Sequence, residues 1–439
     1  MLCVLAAALV LRPSSLPLLA ATIAVDAVYA FQCLPETANH LLFEGLVCLI
    51  WCAAFAVHAG KRLRAGAPLS RWLSLAPGEM HPLSATLVPL RYAFVLLYWL
   101  SVLHKLNYDF IAPDSSCASY MYRRVSELLP FMPRAPWAEH VAIWSTLLAE
   151  AALPVLLLFG RTWRLGLVAA LAFHLTLGFD PTPGIYSFTG LLYALFVLLL
   201  PERFIGAAFG EIERLVQKLG LPTASALRLA GLATLLSIVA YGATRDDRWS
   251  FRAGFVFFLV WSTVVIAGYG FSLARSARVE PTEQRVPTFS LPAVWAWVLP
   301  CVVLLNGLNP YLGLRTQLSF SMFSNLRTEG GRSNHLFMPR LLSLGHYQED
   351  LVEVLATSDP DLAQLQRHEQ LLPYFEFRRM VSGAEDLSVR YRRNGAERTF
   401  ECKGGVCNDA ELAEPYSRLM GRLLYFRPVD KGPRMACRH

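Results

Sequence analysis

The chain has 439 residues, 54% of them hydrophobic and 17% charged, with a mean hydropathy of +0.39. That balance excludes an ordinary soluble protein. The net charge of +7 comes with no basic face or nucleic-acid motif, so it is a matter of loop topology and excludes nucleic-acid binding.

Apolar runs near the length that an α-helix needs to cross a bilayer recur through residues 1–315. The opening MLCVLAAALVL is too short to span. It lacks the basic start and small-residue cleavage site of a secretory signal peptide. Roughly nine spans follow, near 16–33, 39–59, 83–105, 138–160, 163–180, 185–201, 226–243, 253–275 and 292–312. The loop GKRLRAGAPLSR at 60–71 is the most one-signed basic connection, which assigns it to the cytoplasm. Counting from there, 160–164, 201–220 and 275–285 are also inside, while 106–137, 180–184 and 244–252 are outside. An odd number of spans leaves the rest of the chain outside.

From about Asn309 the composition changes. DPDLAQLQRHEQLL at 359–372 reads as a helix with an aspartate start, and LSVRYRR at 387–393 and RTFECKGGVC at 398–407 read as strands and a turn. The expected fold is therefore an all-α polytopic membrane protein over 1–315, with a small extramembrane α+β domain over 316–439 on the outer side. In a bacterium this is the inner membrane. The nine cysteines show no CxxC pair and no metal spacing, so no metal is expected. Cys402 and Cys407 flank KGGV on the side expected to be oxidising, and both a disulfide and free surface thiols are open readings.

Ionisable groups inside apolar spans need a reason. Asp26, Arg91 and Glu150 fall near one depth, about 12–15 Å from the inner ends of their spans at 1.5 Å per residue. They read as an internal ion pair, Arg91 with Glu150, locking helices. A second set lies toward the outer face: His40 starts the second span, Lys105 ends the third, and His174 lies outward along the fifth. Lys105 is the one lysine in or beside an apolar span, in a chain with five lysines among forty basic residues. Lysine differs from arginine in that it can lose its proton. Desolvation favours that loss, and a neutral lysine is a usable general base. The bland readings are a snorkelling Lys105, a capping His40 and a carbonyl-bonded core His174. Near the last span, Arg327, Glu329, Arg332, Asn334 and His335 form a polar cluster, either a partner-reading loop or a turn made by Gly330 and Gly331.

Three segments carry a resemblance. They are NHLLFEGLVCL (39–49), YAFVLLYWLSVLHKLNYDFI (92–111), and FHLTLGF (173–179) with GIYSFTGLLYALF (184–196). Together they resemble the vitamin K-dependent gamma-carboxylase family, and more closely its bacterial relatives, the HTTM (horizontally transferred transmembrane) domain proteins. The matching elements are Asn39-His40, Lys105-Leu106 with Tyr108-Asp109, and His174 followed by Gly184 to Phe188. The resemblance implies a membrane carboxylase that uses a reduced menaquinone or vitamin K-type quinol with O2 and CO2. It makes Lys105 the base and His174 and His40 its hydrogen-bonding or proton-handling partners. Tyr98, Trp99, Tyr108 and Phe173 would line the quinol pocket. The expected partners are membrane lipids and a peptide or small-molecule substrate on the outer side. The large luminal region that grips the propeptide in the eukaryotic carboxylase has no matching segment in 316–439. The rival readings are a non-catalytic lipid- or quinone-binding membrane protein and a small-solute transporter. The transporter draws support from the Asp26, Arg91 and Glu150 set.

Overall fold

The computed structural model describes residues 1–76, 79–159, 161–179, 183–197, 247–276, 293–338 and 342–437, with scattered positions between 200 and 233. Most of the chain before residue 313 is helical. Five described helices are long and apolar enough to cross a membrane: 39–64, 82–105, 136–158, 254–274 and 294–312. Shorter apolar helices are Leu2–Leu11 (α1), Leu16–Gln32 (α2), Trp163–Gly178 and one over 185–196. Among the described residues, the expected spans correspond to five helices of membrane length and shorter pieces. The stretch 226–243 lies mostly outside the described residues. The expected loop 244–252 also differs from the structure over its described part, 247–252. A helix already begins at Asp247, because backbone hydrogen bonding does not require apolar side chains.

The chain divides into two compact units, and the boundary is not a single cut near 315. The first comprises Met1–Gln32, His40–Val95 and Ala151–Cys301. In it, α2 packs on α3 (Asn39–Arg64) through Leu16, Ile23, Ala27, Cys48 and Phe55. The last turn of α3 carries Lys61, Arg62 and Arg64, which complement the negative end of the helix dipole.

The second unit comprises Cys33–Asn39, Leu96–Glu150 and Val302–His439. It holds the C-terminal part of α4 (Leu87–Lys105), two short helices α5 (Tyr108–Ile111) and α6 (Cys117–Leu128), and the first part of α7 (Pro136–Leu158). Here the expected outer loop 106–137 is largely structured. The close of this unit is a six-stranded antiparallel sheet. Its strands are β1 (Leu351–Thr357), β2 (Gln370–Pro373), β3 (Leu387–Arg393), β4 (Ala396–Lys403), β5 (Val406–Cys407) and β6 (Val429–Asp430), ordered β5-β4-β3-β1-β2-β6.

Asn394 and Gly395, both at positive φ, turn β3 into β4, as a two-residue hairpin requires. Alternate residues of β3 and β4 face inward, so Val389, Tyr391, Phe400 and Cys402 meet Val352 and Phe377 in one core. Each such large side chain contributes about 1.5–3 kcal/mol by leaving water. The aspartate start is present: Asp359 Oδ1 accepts from Asp361 N and Leu362 N at 2.9 and 2.8 Å. That helix closes at Arg367, and the EQLL end expected to be helical enters β2 instead.

Cys402 and Cys407 are disulfide-bonded, on facing positions of β4 and β5. A second disulfide, Cys117–Cys437, spans 320 residues and ties the start of α6 to the far end of the second unit.

Candidate functional site

The end of α4 is unusually complete. A helix leaves its last four carbonyls without intrahelical partners. Here Val102 O accepts from Leu106 N at 3.1 Å and Leu103 O from His335 Nε2 at 2.9 Å. His104 O accepts from Asn107 Nδ2 at 2.8 Å, and Lys105 O from Asn107 N at 2.8 Å. Leu336 N then donates to Leu106 O at 2.9 Å. Asn107 does this while its Oδ1 caps α5, accepting from Asp109 N and Phe110 N. On the helix flank, His104 Nε2 lies 2.8 Å from Gly307 O. A Cβ built on Gly307 would sit 2.4 Å from Leu100 Cδ1, so a larger residue there would require the Leu100 side chain to shift.

Lys105 is 4% exposed and does not snorkel. Helical side chains lean toward the N-terminus. Its Nζ accordingly reaches back one turn to Ser101 Oγ, and to Glu150 Oε1 and Oε2 at 3.0 and 2.8 Å. Ser101 Oγ donates to Glu150 Oε2 at 3.1 Å. The Glu150 side chain is 12% exposed. Pro154, four residues on in α7, deprives the Glu150 carbonyl of its helical donor. The Phe110 ring centroid lies 5.9 Å from Lys105 Nζ.

This corrects the ion pair expected from sequence. Glu150, read as the partner of Arg91 at mid-depth, takes Lys105 as its cation. Counting residues from span ends located Cα atoms, and the backward lean of the lysine closed the remaining distance. Arg91 is buried in the first unit. Asp26, also there, accepts a 3.4 Å hydrogen bond from Cys48 Sγ.

His40 and His174 belong to the first unit, where the structure brings them together around one ring. Phe188 lies with its centroid 6.0 Å from that of His40 and 5.9 Å from that of His174. His40 Nε2 is 3.2 Å from Ser187 Oγ. Both histidines are buried, and Phe173 and Phe196 flank His174. The resemblance named Ser187 and Phe188 only as part of a motif; here they are direct partners of the two imidazoles.

The four expected pocket aromatics are divided between the two units. Tyr98 is buried in the second unit within electrostatic reach of Glu150, whereas Trp99 and Tyr108 are 47% and 62% exposed. Phe173 packs on His174 in the first unit.

Four of the five partner-loop residues are occupied internally. Asn334 Nδ2 donates to Asp109 Oδ2 at 2.6 Å and to Asn325 O at 2.8 Å, and its Oδ1 accepts from Arg327 N. Arg327 Nη1 donates to Gly432 O, and Glu329 Oε1 accepts from Arg427 Nε at 3.1 Å. His335 Nδ1 accepts from Phe337 N and Met338 N, both at 3.1 Å. With Nε2 donating to Leu103 O, that pattern fixes a neutral ring. Burial likewise holds its pKa below the ordinary value. Only Arg332 of the five is exposed. The loop therefore braces the end of α4 through His335 and Leu336.

Sequence reasoning missed Ser101, Glu150 as lysine partner, and Asn107, and it named Asn334 only as part of a loop. Ser101 had a usable signal, four residues before Lys105 on the same helix face. Asn107 had another, an asparagine just past a helix end. The bonds of Asn334 to Asp109 and Asn325 had none, since those partners lie 225 and 9 residues away. Among the described residues no group of three or more His, Cys, Asp or Glu could hold a metal ion. Compared with known proteins, the chain matches no family model, no curated protein and no solved structure.

Proposed function

We propose that this is a multi-pass membrane enzyme that acts on a lipid-soluble quinol of the menaquinone or vitamin K type, with the Lys105 site handling the quinol proton. One observation carries the reading: a buried lysine at an apolar helix end bonds a partly buried carboxylate, on a helix terminus whose carbonyls are all engaged. Intramembrane ionisable pairs are costly and mark functional sites. The sequence resemblance to the gamma-carboxylases points the same way. When bound, the quinol would supply reducing power and, with O2, the strong base needed to open a carbon for CO2. Lys105 and Glu150 move the first proton. His40 and His174 offer imidazole nitrogens to an oxyanion.

The two disulfides, Cys117–Cys437 and Cys402–Cys407, support placing the second unit's sheet domain on the oxidising side, where a peptide or small molecule would be the acceptor. The test is oxidation of an added reduced naphthoquinone by purified protein in lipid nanodiscs, with products identified by mass. Epoxide from wild type and none from Lys105→Ala is the expected result. No turnover of any quinol by wild type, with quinol still bound, would leave the second reading, a lipid- or quinone-binding protein. The feature favouring that reading is that Lys105 and Glu150 already satisfy each other.

A further inference from the structure

We infer that Glu150 is the group that receives the quinol proton, and that Lys105 stays an ammonium throughout and holds the anion so formed. The inference rests on the quinol reading above and assigns the proton within that site.

Proton counting supports it. An ammonium has three N–H donors. Lys105 Nζ has three acceptors around it: Glu150 Oε1, Glu150 Oε2 and Ser101 Oγ. Ser101 has one hydroxyl proton, and it goes to Glu150 Oε2. A neutral amine would turn a lone pair toward this group, and none of these neighbours has a proton left to give it. The network closes with Lys105 as donor three times and Glu150 as acceptor three times. A carboxylate has about four lone-pair sites. Three are used, which leaves one for a quinol hydroxyl.

Charge balance agrees. Before transfer the site holds one ammonium, one carboxylate and a neutral quinol. The quinol O–H bond breaks, an O–H bond forms on Glu150, and the electron pair stays on the quinol oxygen. Afterward the site holds one ammonium, one carboxylic acid and one quinolate. Net charge is zero on both sides, and the cation loses one anion as it gains another. With Lys105 as the base and Glu150 ionised, the site would carry a net negative charge before and after the transfer. An apolar surrounding penalises that arrangement.

The two assignments part on substitution. Arginine keeps the cation and cannot act as a base. Quinol oxidation is measured in nanodiscs for wild type, Lys105→Ala, Lys105→Arg and Glu150→Gln. If Glu150 accepts the proton, Glu150→Gln loses about 100-fold, the ordinary size of a general-base effect. Its residual rate then climbs roughly tenfold per pH unit as the quinol ionises by itself. Lys105→Arg keeps at least about a tenth of wild-type turnover. Lys105→Arg as inactive as Lys105→Ala, or Glu150→Gln above about a tenth of wild type, overturns the assignment while the quinol reading stands. Wild type that oxidises no quinol overturns both. Lys105→Arg retains Glu150 and a cation, so it decides the matter alone if Glu150→Gln does not purify as a folded protein.

Discussion

The two buried polar groupings of this molecule are built on different principles. Around Lys105 every polar atom is assigned: ammonium to carboxylate and hydroxyl, terminal carbonyls to Asn107, His335 and Leu336. Of those partners Ser101 and Asn107 are local, while Glu150, His335 and Leu336 come from far along the chain. Around His40 and His174 the contacts are mostly ring on ring, with one hydroxyl, Ser187. The difference follows from charge. An ion pair withdrawn from water must be compensated bond by bond, or it costs several kcal/mol per ion. A neutral imidazole packs as another flat ring and needs little more than one partner. The lysine grouping is therefore brittle and the histidine grouping tolerant.

Substitutions can break or sharpen that contrast. Glu150→Leu leaves the Lys105 ammonium buried without its anion, and a loss of about 3–5 kcal/mol is expected. Adding Lys105→Leu is expected to recover most of it, and thermal unfolding in nanodiscs checks the cycle. A double variant no more stable than Glu150→Leu would show that the pair is not the unit of stability. Cys117→Ala with Cys437→Ala is expected to cost about 2–5 kcal/mol, compared by the same measurement with and without reductant.

His335 gives a pH signature. Its folded pKa lies below the ordinary value of 6.5 because of burial. Below pH 6.5 the unfolded chain binds a proton that the folded ring refuses, so stability falls as the pH drops through that window. His335→Gln is expected to be less stable at pH 7 and to show a shallower decline between pH 7 and 5. An unchanged slope would sink this account. The smallest effect is expected at the tolerant grouping, where Ser187→Ala removes one hydroxyl from His40 at about 0.5–1.5 kcal/mol.

Much of this was legible in the sequence, and the failures share a cause. The apolar runs found the membrane-length helices, Asp359 announced its helix, and the spacing across KGGV brought Cys402 and Cys407 to facing positions. Lys105 stood out because it was a lysine. Glu150 was misassigned because a depth count places backbones and says nothing about which way a lysine side chain leans. Arg327, Glu329, Asn334 and His335 looked available because sequence displays polar groups but not the bonds they already make. The Cys117–Cys437 disulfide joins residues 320 positions apart, a pairing that spacing alone does not suggest.

That disulfide also sets an order of manufacture. Residues 432–437 supply Gly432 O to Arg327, Met435 N to Asp109, Met435 O to Asn325, and the sulfur that meets Cys117. Asp109 and Asn325 are both bonded to the same Asn334 that braces the end of α4. The ribosome makes Lys105 more than 300 residues before it makes Cys437. Asn107 follows at once, but the helix end waits for His335 and Leu336, and Asp109 and Asn325 wait longer still for residues 432–437. A translocation machine or chaperone that shields an unfinished polar site would have its longest task here.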